Sequence, residues 1–596
     1  MLSLVGTNGA PADASPKTAP ATPSTSRTLH RISAAVNAIK LVYINTVYAT
    51  TGKDGPGLNA FTIKAALELM GPNGPNAQDQ PIVPVTFAGA SSINVAPGAI
   101  VESDLITITV PAGAVLFVRG LATPVSGTSL PSGGLLQGGT SDLGLDLGEG
   151  FATGDLVTSG IIPNASNVDC VRPFAILGQT IDGKIAPSVA IVGDSIGAGT
   201  GDGGAFSSYG GAGFLVRACY GQDVFQLNPF AATVPIGYVQ LSRGGEQVAQ
   251  WVDYVNNTIK PKLSLYATDV WSYLWGNDTG LGFASIKANL ITLANWHTSR
   301  GQTFRTATHN PGNTSTDGWR TIANQTPTNV SIVGQVHAFL RDTGPNGFIS
   351  LCQTPSKVFV SDLAASVSVD SSGNPTPDST YWPPASAVAL SGSSVATTNG
   401  YVQVTGPLVR QAWRGYTLYI TSGTGAGTLG PIQWNNTTTL VANGISVDAT
   451  SNFEVRQGST DDGGHPDASM HQIMARAFNK SMLTQATADP YQSDNATPVQ
   501  ILADYKPSAP NPLVATGLGT VLLPTAVLTC PAQTDLNGGR LVFLRRLPNS
   551  NAAFVIVGMT TGIDANTPPT PTFTDTTVSN GVRYEYTAYA LPIGDF

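Results

Sequence analysis

The stretch Ile185-Ala186-Pro187-Ser188-Val189-Ala190-Ile191-Val192-Gly193-Asp194-Ser195 carries the strongest fold signal in this sequence. Its apolar run, Ile185–Val192, has the length of a buried strand and ends abruptly in a glycine-rich turn. Further apolar runs follow and alternate with helix-like segments such as Phe283–His297. This alternation predicts an α/β sheet with crossover connections. Ser195 then lies at the carboxyl end of a strand, where α/β sheets place their functional sites.

The whole chain is predicted to be multidomain, because 596 residues exceed what one hydrophobic core serves. We expect a central α/β domain that is flanked and interrupted by β-sandwich modules. The predicted domains are an N-terminal arm and helices at 1–80, a β-sandwich at 81–184, the α/β core at 185–356 and 459–500, an inserted β module at 357–458, and a β domain at 507–596.

Local patterns predict the elements within these domains. Residues 1 to about 28 are rich in Pro and small polar residues and predict a flexible or partner-bound arm. Thr28 to Ile44 has apolar residues near helical spacing and predicts a helix. A final helix is expected between Pro466 and about Leu483. The candidate strands are Leu105–Val110, Val115–Arg119, Val234–Leu241, Val270–Trp275, Phe304–Thr308, Ser331–Val333, Val402–Val404, Tyr416–Thr421 and Phe453–Arg456.

Composition excludes several classes of function. Charged residues make up 11% of the chain, and the formal net charge is −8 with no Lys/Arg-rich run, so we expect no nucleic-acid partner. No stretch has the length of a membrane span, and the N-terminus lacks the pattern of a classical signal peptide. The four cysteines lie far apart without a CxxC pair or a Cys/His cluster, so we expect no metal site and no cofactor.

A second motif pairs a carboxylate with an imidazole. Asp462-Gly463-Gly464-His465-Pro466 places the two groups three residues apart on one short loop. The imidazole of His465 would accept the proton of a serine hydroxyl, and the carboxylate of Asp462 would fix its tautomer and stabilise the imidazolium. Taken alone, Asp462 is equally well a helix cap and His465 a surface residue.

Two further blocks lie between these motifs, each directly after a predicted strand. They are Leu241-Ser242-Arg243-Gly244-Gly245-Glu246 and Trp275-Gly276-Asn277-Asp278. A tetrahedral acyl intermediate needs donors for its oxyanion, and the N–H of Ser195, an N–H beside Gly245 and the amide of Asn277 would supply three. Simple turn formation is the alternative for both blocks.

The four blocks together, in this order, resemble the SGNH (GDSL-like) hydrolases. The resemblance covers about 185–350 and 460–485 and implies a flavodoxin-like three-layer α/β/α domain. It implies Ser195 as nucleophile, Asp462 and His465 as the acid and base, and Gly245 and Asn277 in the oxyanion hole. The third block has Trp275 where the family usually has Gly, and the second leaves open whether Gly244 or Gly245 is the oxyanion glycine.

The resemblance implies ester hydrolysis without fixing the ester. Trp251, Trp275 and Trp319 would offer flat faces for sugar rings, although core packing is at least as probable for each. His309 and His337 follow strands of the same domain and would line the pocket, although a plain surface position is favoured. We expect an esterase that removes O-acetyl groups from a bacterial surface polysaccharide.

Two other resemblances suggest where this esterase works. The run from Gly415 to Gly427 is similar to a β motif of bacteriophage structural and tail proteins. Phe573-Thr574-Asp575 and the run from Gly581 to Thr587 are similar to the end of a fibronectin type III domain. They imply a virion or extracellular protein that contacts other virion proteins, and they leave a homo-oligomer open. The rival hypotheses are a virion receptor-binding protein with little turnover and a secreted lipase or thioesterase.

Overall fold

The computed structural model divides into two compact units, Met1–Ala503 and Asp504–Phe596. The residues that the structure describes are 2–9, 17–18, 22–48, 54–125, 127–131, 133–134, 147–165, 169–202, 212–221, 234–254, 259–310, 312–342, 345–352, 356–359, 381–398, 401–404, 408, 413–442, 445–472, 474–475, 514–518, 526–529, 540–546, 555–559, 572–575 and 585–591.

The N-terminal part of the first unit is built of strands. They are β1 Leu2–Leu4, β2 Lys17–Thr18, β3 Ser24–Arg31, β4 Val36–Ile44, β5 Thr46–Tyr48, β6 Asp54–Pro56, β7 Phe61–Leu69, β8 Ile82–Pro84, β9 Ile93–Val95, β10 Ile100–Glu102, β11 Ile106–Val110, β12 Val115–Pro124, β13 Ser129–Leu130, β14 Gly133–Gly134, β15 Gly150–Thr153, β16 Asp169–Cys170 and β17 Ala175–Thr180. One sheet has the order β1-β17-β4-β10, with β11 also on β4, and another has the order β15-β3-β12-β7-β8, with β9 also on β7. Apolar residues of both sheets, such as Leu41, Tyr43, Leu67 and Leu116, form one core between them.

The predicted helix Thr28–Ile44 is wrong, and so is the predicted N-terminal arm over its described residues 2–9, 17–18 and 22–28; the rest of the arm lies outside the described residues. Leu2–Leu4 pairs with β17 inside a sheet, and the helix region is the end of β3, a turn, and β4. The β3 side chains are buried throughout, polar ones included, because distant residues pair with them, and so the strand lacks the alternation that reveals strands. The two sheets extend across the predicted boundary at residue 80, because β3, β4 and β7 pair with strands that follow it.

A parallel sheet follows, with helices in its connections. Its elements are β18 Ser188–Gly193, α1 Phe214–Tyr220, β19 Gly237–Gln240, α2 Val248–Tyr254, α3 Lys260–Ser264, β20 Asp269–Tyr273, α4 Phe283–Thr298, β21 Thr303–Ala307, β22 Gly312–Ser315, β23 Gln325–Thr328, α5 Val330–Arg341, α6 Phe348–Leu351 and β24 Ser356–Phe359, with 3₁₀ turns at Gly276–Leu281 and Ile322–Asn324. The strand order is β19-β18-β20-β21-β24, all parallel, while β22 and β23 form a separate hairpin.

Most predicted elements of this domain agree with the structure. The predicted helix Phe283–His297 is α4. The predicted strand Ser331–Val333 is wrong, because it lies in α5, where Val336, Phe339 and Leu340 recur at helical spacing and are buried. The fifth strand of the sheet is β24 instead.

Both faces of the parallel sheet are covered. In β18, Val189 and Ile191 face one apolar cluster, and Ala190 and Val192 face another, as expected for a strand buried on both sides. The second cluster contains residues of α2, α4 and α5. The first contains residues of α1, then Met470, Met474 and Ala475, together with Leu29 and other residues of the N-terminal part. With the N-terminal sheets described above, the chain is multidomain and mostly β. The flavodoxin-like three-layer arrangement of the parallel-sheet domain stays a prediction.

The interrupting module is a closed six-stranded barrel, not the expected sandwich. Its strands are β25 Leu390–Thr398, β26 Tyr401–Val404, β27 Thr417–Ser422, β28 Leu429–Asn435, β29 Thr439–Ala442 and β30 Asn452–Arg456, in the order β25-β26-β29-β28-β27-β30. The barrel closes because β25 carries a register shift between Ser394 and Ala396, so that one end pairs with β30 and the other with β26. Its interior is apolar, with Val402, Leu418 and Phe453 among the buried residues.

The second unit contains two three-stranded antiparallel sheets. Its described strands are β31 Val514–Leu518, β32 Ala526–Thr529, β33 Arg540–Arg546, β34 Val555–Met559, β35 Thr572–Asp575 and β36 Glu585–Leu591, in the orders β31-β32-β35 and β34-β33-β36. The fibronectin type III assignment stays a prediction. The predicted helix after Pro466 is present at 468–472, and its continuation from 476 to Leu483 lies outside the described residues. Across the described chain, no helix is long and apolar enough to cross a membrane.

Candidate active site

The turn after β18 presents Ser195 at the carboxyl end of the parallel sheet. The carboxylate of Asp194 accepts hydrogen bonds from the N–H groups of Ile196 at 2.9 Å and Gly197 at 3.4 Å, which fold the chain back over the strand end. The turn has no room for larger residues, because a Cβ on Gly193 or Gly197 would come within 3 Å of the Ser242 hydroxyl. Ser195 is half-buried, so its hydroxyl is held in place and still reachable.

The loop Thr460–Pro466 is shaped by hydrogen bonds within itself. The N–H groups of Gly464 and His465 donate to Asp462 Oδ1 at 2.8 and 2.7 Å. The Thr460 hydroxyl donates to the His465 carbonyl at 2.6 Å and accepts from the Gly463 N–H at 2.9 Å. The main chain of this loop therefore fixes the position of both the carboxylate and the imidazole.

Ser195, His465 and Asp462 form one hydrogen-bonded chain. Ser195 Oγ lies 2.7 Å from His465 Nε2, across 270 residues of sequence, and His465 Nδ1 lies 2.6 Å from Asp462 Oδ2. The structure thus brings together the three residues that the sequence analysis selected. With the Nδ1 proton held by Asp462, the Nε2 lone pair faces the serine hydroxyl, which is the arrangement that a general base needs.

Asp462 and His465 shift each other's pKa in opposite directions, so that each favours the charged form of the other. Burial opposes ionisation of Asp462, but its hydrogen bonds with His465 outweigh burial and lower its pKa to about 2. The hydrogen bond to Asp462 raises the pKa of His465 above its ordinary value, against the effect of burial, and the charge of Asp194 adds to the rise. The imidazole is therefore a stronger base than a free histidine.

Two tryptophans hold the Asp/His loop from behind. Trp382 Nε1 and the Asn313 N–H both donate to the Gly463 carbonyl at 2.9 Å. Trp319 Nε1 donates to Asn313 Oδ1 at 2.5 Å, and its ring lies against Gly463. Gly463 has a φ of 78°, and a Cβ there would overlap Asn313 O. Sequence reasoning missed Trp382, since it stands alone in a region without any motif.

The loop that was expected to supply oxyanion donors, Leu241–Glu246, lies beside Ser195 and is called the oxyanion loop below. Gly244 is the nearer of its two glycines, since a Cβ on it would be 4.0 Å from Ser195 Cβ, while Gly245 faces open space with a φ of 73°. Among the described residues, none accepts a hydrogen bond from the main-chain N–H of Ser195, Gly244 or Gly245. Asn277 is exposed and uses one Nδ2 proton on the Glu246 carbonyl at 3.0 Å, which leaves the other for a ligand.

The acidic residues of the second and third blocks, Glu246 and Asp278, stabilise the loops in which they lie. Asp278 accepts the Val248 and Ala249 N–H groups at 2.8 and 3.2 Å and so caps α2. Glu246 is fully buried and pairs with Lys260. Both contacts fix the loops that carry Asn277 and the two glycines.

The three tryptophan rings that were expected to stack on sugars are buried. The side chains of Trp251 and Trp275 are fully buried, and Trp319 is 8% exposed, so the prediction that they stack on sugars is wrong. Their large apolar area is used in packing, as in the core alternative.

His309 and His337 are buried behind the site and do not line it. His309 stacks on Tyr273 with 3.8 Å between ring centres, and its Nδ1 lies 3.9 Å from Asp194 Oδ2. Burial keeps the pKa of His309 well below its ordinary value, and burial raises the pKa of Asp194 to about 7. His309 therefore acts as a neutral packing partner of the turn Gly193–Gly197, which carries the expected nucleophile Ser195 and is called the nucleophile turn below.

This arrangement suits acyl transfer. It offers a hydroxyl with its base, a carboxylate that orients the base, and unsatisfied N–H donors beside the hydroxyl. No cluster of three or more His, Cys, Asp or Glu side chains that would bind a metal occurs in the described part of the chain.

Comparisons with known proteins give no family. No protein-family model matches the chain, and no curated protein matches it. Among solved structures it is similar to protein YXIM from Bacillus subtilis, with 11% identity and a TM-score of 0.20. That match covers 52% of this chain and 64% of the other, so the chain spans less than two thirds of that protein's length.

Proposed function

We propose that this chain is a serine esterase of the SGNH hydrolase family. The observation that carries the proposal is the hydrogen-bonded chain from Ser195 Oγ through His465 to Asp462, with distances of 2.7 and 2.6 Å. The four sequence blocks meet at one edge of a parallel sheet, which supports the assignment to this family. A three-layer α/β/α arrangement of this domain is part of the proposal.

The proposed mechanism uses only groups of this chain. His465 Nε2 takes the proton of Ser195 as its oxygen attacks the ester carbonyl, and the main-chain N–H groups and Asn277 stabilise the oxyanion. The protonated His465 gives its proton to the leaving alcohol, which leaves an acyl-serine. Water then loses a proton to His465 and attacks the acyl-serine, and the returning proton restores Ser195 as the acid departs.

The proposed substrate is an O-acetyl group on a bacterial surface polysaccharide. Support comes from the openness of the site: the Asp462 side chain is 55% exposed, that of His465 is 29% exposed, and Gly244 and Gly245 lie at the surface. An ester on a bulky polymer reaches such a site more easily than one enclosed by a deep channel. The proposed setting is a virion or the extracellular medium, as the phage-like motif at 415–427 suggests.

Acetate release tests the proposal. The intact protein is incubated with an acetylated chromogenic ester and with acetylated bacterial polysaccharides, beside Ser195→Ala. We expect turnover by the intact chain and a loss of at least about 10⁴-fold in the variant. Ser299→Ala, at the exposed end of α4, is the matched control and should keep full activity. Polysaccharide binding without acetate release would favour the receptor-binding alternative, and a preference for long acyl chains would favour a lipase.

A further inference from the structure

Gln240, the last residue of β19, joins two parts of the site through its side-chain amide. Its Nε2 donates to the Gly197 carbonyl in the nucleophile turn at 3.0 Å, and its Oε1 accepts the Ser242 N–H in the oxyanion loop at 3.0 Å. The side chain is 2% exposed, so water does not compete for either bond. One amide therefore sets the spacing between the turn that carries Ser195 and the loop that carries Gly244.

Tight packing makes this spacing sensitive to small changes. Ser242 places its hydroxyl against both Gly193 and Gly197, with no room for a Cβ on either. The Arg243 N–H, next along the loop, donates to the Gly193 carbonyl at 2.8 Å. Loop and turn thus meet along their main chains, and the Gln240 amide spans the gap beside this contact.

The N-terminal residues hold Gln240 from the other side. Its main-chain N–H donates to the Gly9 carbonyl at 2.6 Å, and the Tyr238 N–H donates to the Gly6 carbonyl at 3.0 Å. Gly9 also forms a parallel bridge with Val239, so this segment covers the open edge of β19. Gln240 therefore has little freedom to shift its amide.

We infer that Gln240 is a positioning residue for ester hydrolysis, which locks the oxyanion loop against the nucleophile turn; this inference rests on the proposed function. Gln240 does not touch the reacting atoms. It acts by keeping the oxyanion loop, with the N–H groups of Gly244 and Gly245, at a fixed distance from the turn that carries Ser195. Because oxyanion donors must be in place before the charge develops, a displacement of this loop raises the barrier more than it weakens substrate binding.

The test compares Gln240→Leu with a matched control, Gln302→Leu. Gln302 is also a buried glutamine, 4% exposed, whose Nε2 bonds the carbonyls of Ser264 and Ala267 at 2.7 and 2.9 Å. It precedes β21 and lies at the opposite end of the sheet from Ser195. We expect both variants to lose thermal stability, and only Gln240→Leu to lose kcat, by about 10- to 100-fold, with KM nearly unchanged.

A second variant separates positioning from stability and remains informative if Gln240→Leu fails to fold. Gln240→Glu keeps the acceptor for Ser242 but donates to Gly197 only when the carboxyl is protonated. The ratio of its kcat to the wild-type kcat should therefore rise as the pH falls.

Each outcome has a distinct meaning. Equal kcat losses in the two leucine variants, no kcat loss in Gln240→Leu, or a pH-independent ratio for Gln240→Glu would overturn the positioning role while leaving the esterase intact. An inactive wild-type protein would instead overturn the proposed function, and the positioning role with it.

Discussion

Asp461 and Asp462 are chain neighbours whose carboxylates bind different domains. Asp462 Oδ2 holds His465 Nδ1 at 2.6 Å, whereas Asp461 Oδ1 accepts the hydroxyl of Thr417, in the barrel strand β27, at 3.1 Å. One carboxylate therefore orients the base, and the other attaches the same loop to the barrel.

This pair provides a matched test of the hydrogen-bonded residues Ser195, His465 and Asp462. Asp462→Asn keeps the size of the side chain but no longer fixes the His465 tautomer, so we expect kcat to fall by about 10³- to 10⁴-fold. Asp461→Asn can still accept the Thr417 hydroxyl and should stay close to wild type. Ester hydrolysis by both purified variants checks this, and similar activities in the two would exclude Asp462 from the mechanism.

The pH dependence of hydrolysis should have an acid limb set by His465. The base works only when neutral, and its hydrogen bond to Asp462 raises its pKa, so activity should rise with pH through a midpoint above the ordinary value of 6.5. Asp194→Asn removes a carboxyl whose ionised form favours the protonated imidazole, and the substitution should move this midpoint to lower pH. Profiles of kcat/KM against pH give both midpoints; a shift to higher pH in the variant would contradict the assignment.

Gly463 should tolerate no side chain. Gly463→Ala forces a Cβ into the Asn313 carbonyl at a positive φ, so the loop must move, and we expect hydrolysis and thermal stability to fall together. At Gly464 a Cβ makes an ordinary contact, 3.6 Å from Asp462 Oδ1, and Gly464→Ala should behave as wild type. Activity and melting temperature of both variants are measured side by side. Equal tolerance at the two positions would refute the described loop geometry.

Asn277 should contribute to the transition state and little to substrate binding. Asn277→Ala removes the side-chain donor that we propose for the oxyanion, together with its bond to the Glu246 carbonyl, so we expect a kcat loss of about 10²- to 10³-fold with a small change in KM. Steady-state kinetics on the chromogenic ester separate the two constants. A rise in KM alone would place Asn277 in ground-state binding instead.

The N-terminal sandwich depends on a buried charge cluster. Glu68, 1% exposed, bonds Arg27 at 2.6 Å and Arg119 at 2.7 Å. Glu68→Ala leaves two buried cations without their carboxylate and should lower the free energy of unfolding by about 3–5 kcal/mol. The exposed pair of Glu102 with Lys40 is the control, and Glu102→Ala should cost at most about 1 kcal/mol. Urea denaturation measures both; equal losses would contradict this picture.

The site was predictable because its groups stand in short local motifs. The strand before Ser195 is an uninterrupted apolar run, and Asp462 and His465 are placed by a loop of a few residues that bonds to itself. The meeting of Ser195 with His465 required the family resemblance, because no local pattern relates residues 270 positions apart.

The parts that failed depend on contacts distant in sequence. In β3, the buried Arg27 is neutralised by Glu68, and the centre of the Phe117 ring lies 3.3 Å from its guanidinium carbon. The helix prediction rested on the apolar spacing of residues 28–44, and this spacing does not reveal such distant contacts. The prediction that Trp251 and Trp275 are exposed was wrong for the same reason, because only the folded domain shows that their ring faces are covered.

The segments that precede and follow the barrel in sequence lie side by side at Ser386 and Gln457. The Ser386 N–H bonds the Gln457 carbonyl at 2.8 Å, and the Gln457 N–H bonds the Ser386 hydroxyl at 2.8 Å. Extended segments bonded to each other lie about 4.8 Å apart, so a short turn would span the gap that excision of the barrel leaves. The residues between Ser386 and Gln457 thus add little to the path between the two parts of the parallel-sheet domain, and replacing them by a turn would leave both chain ends in place at the cost of the Thr417 hydroxyl that holds Asp461.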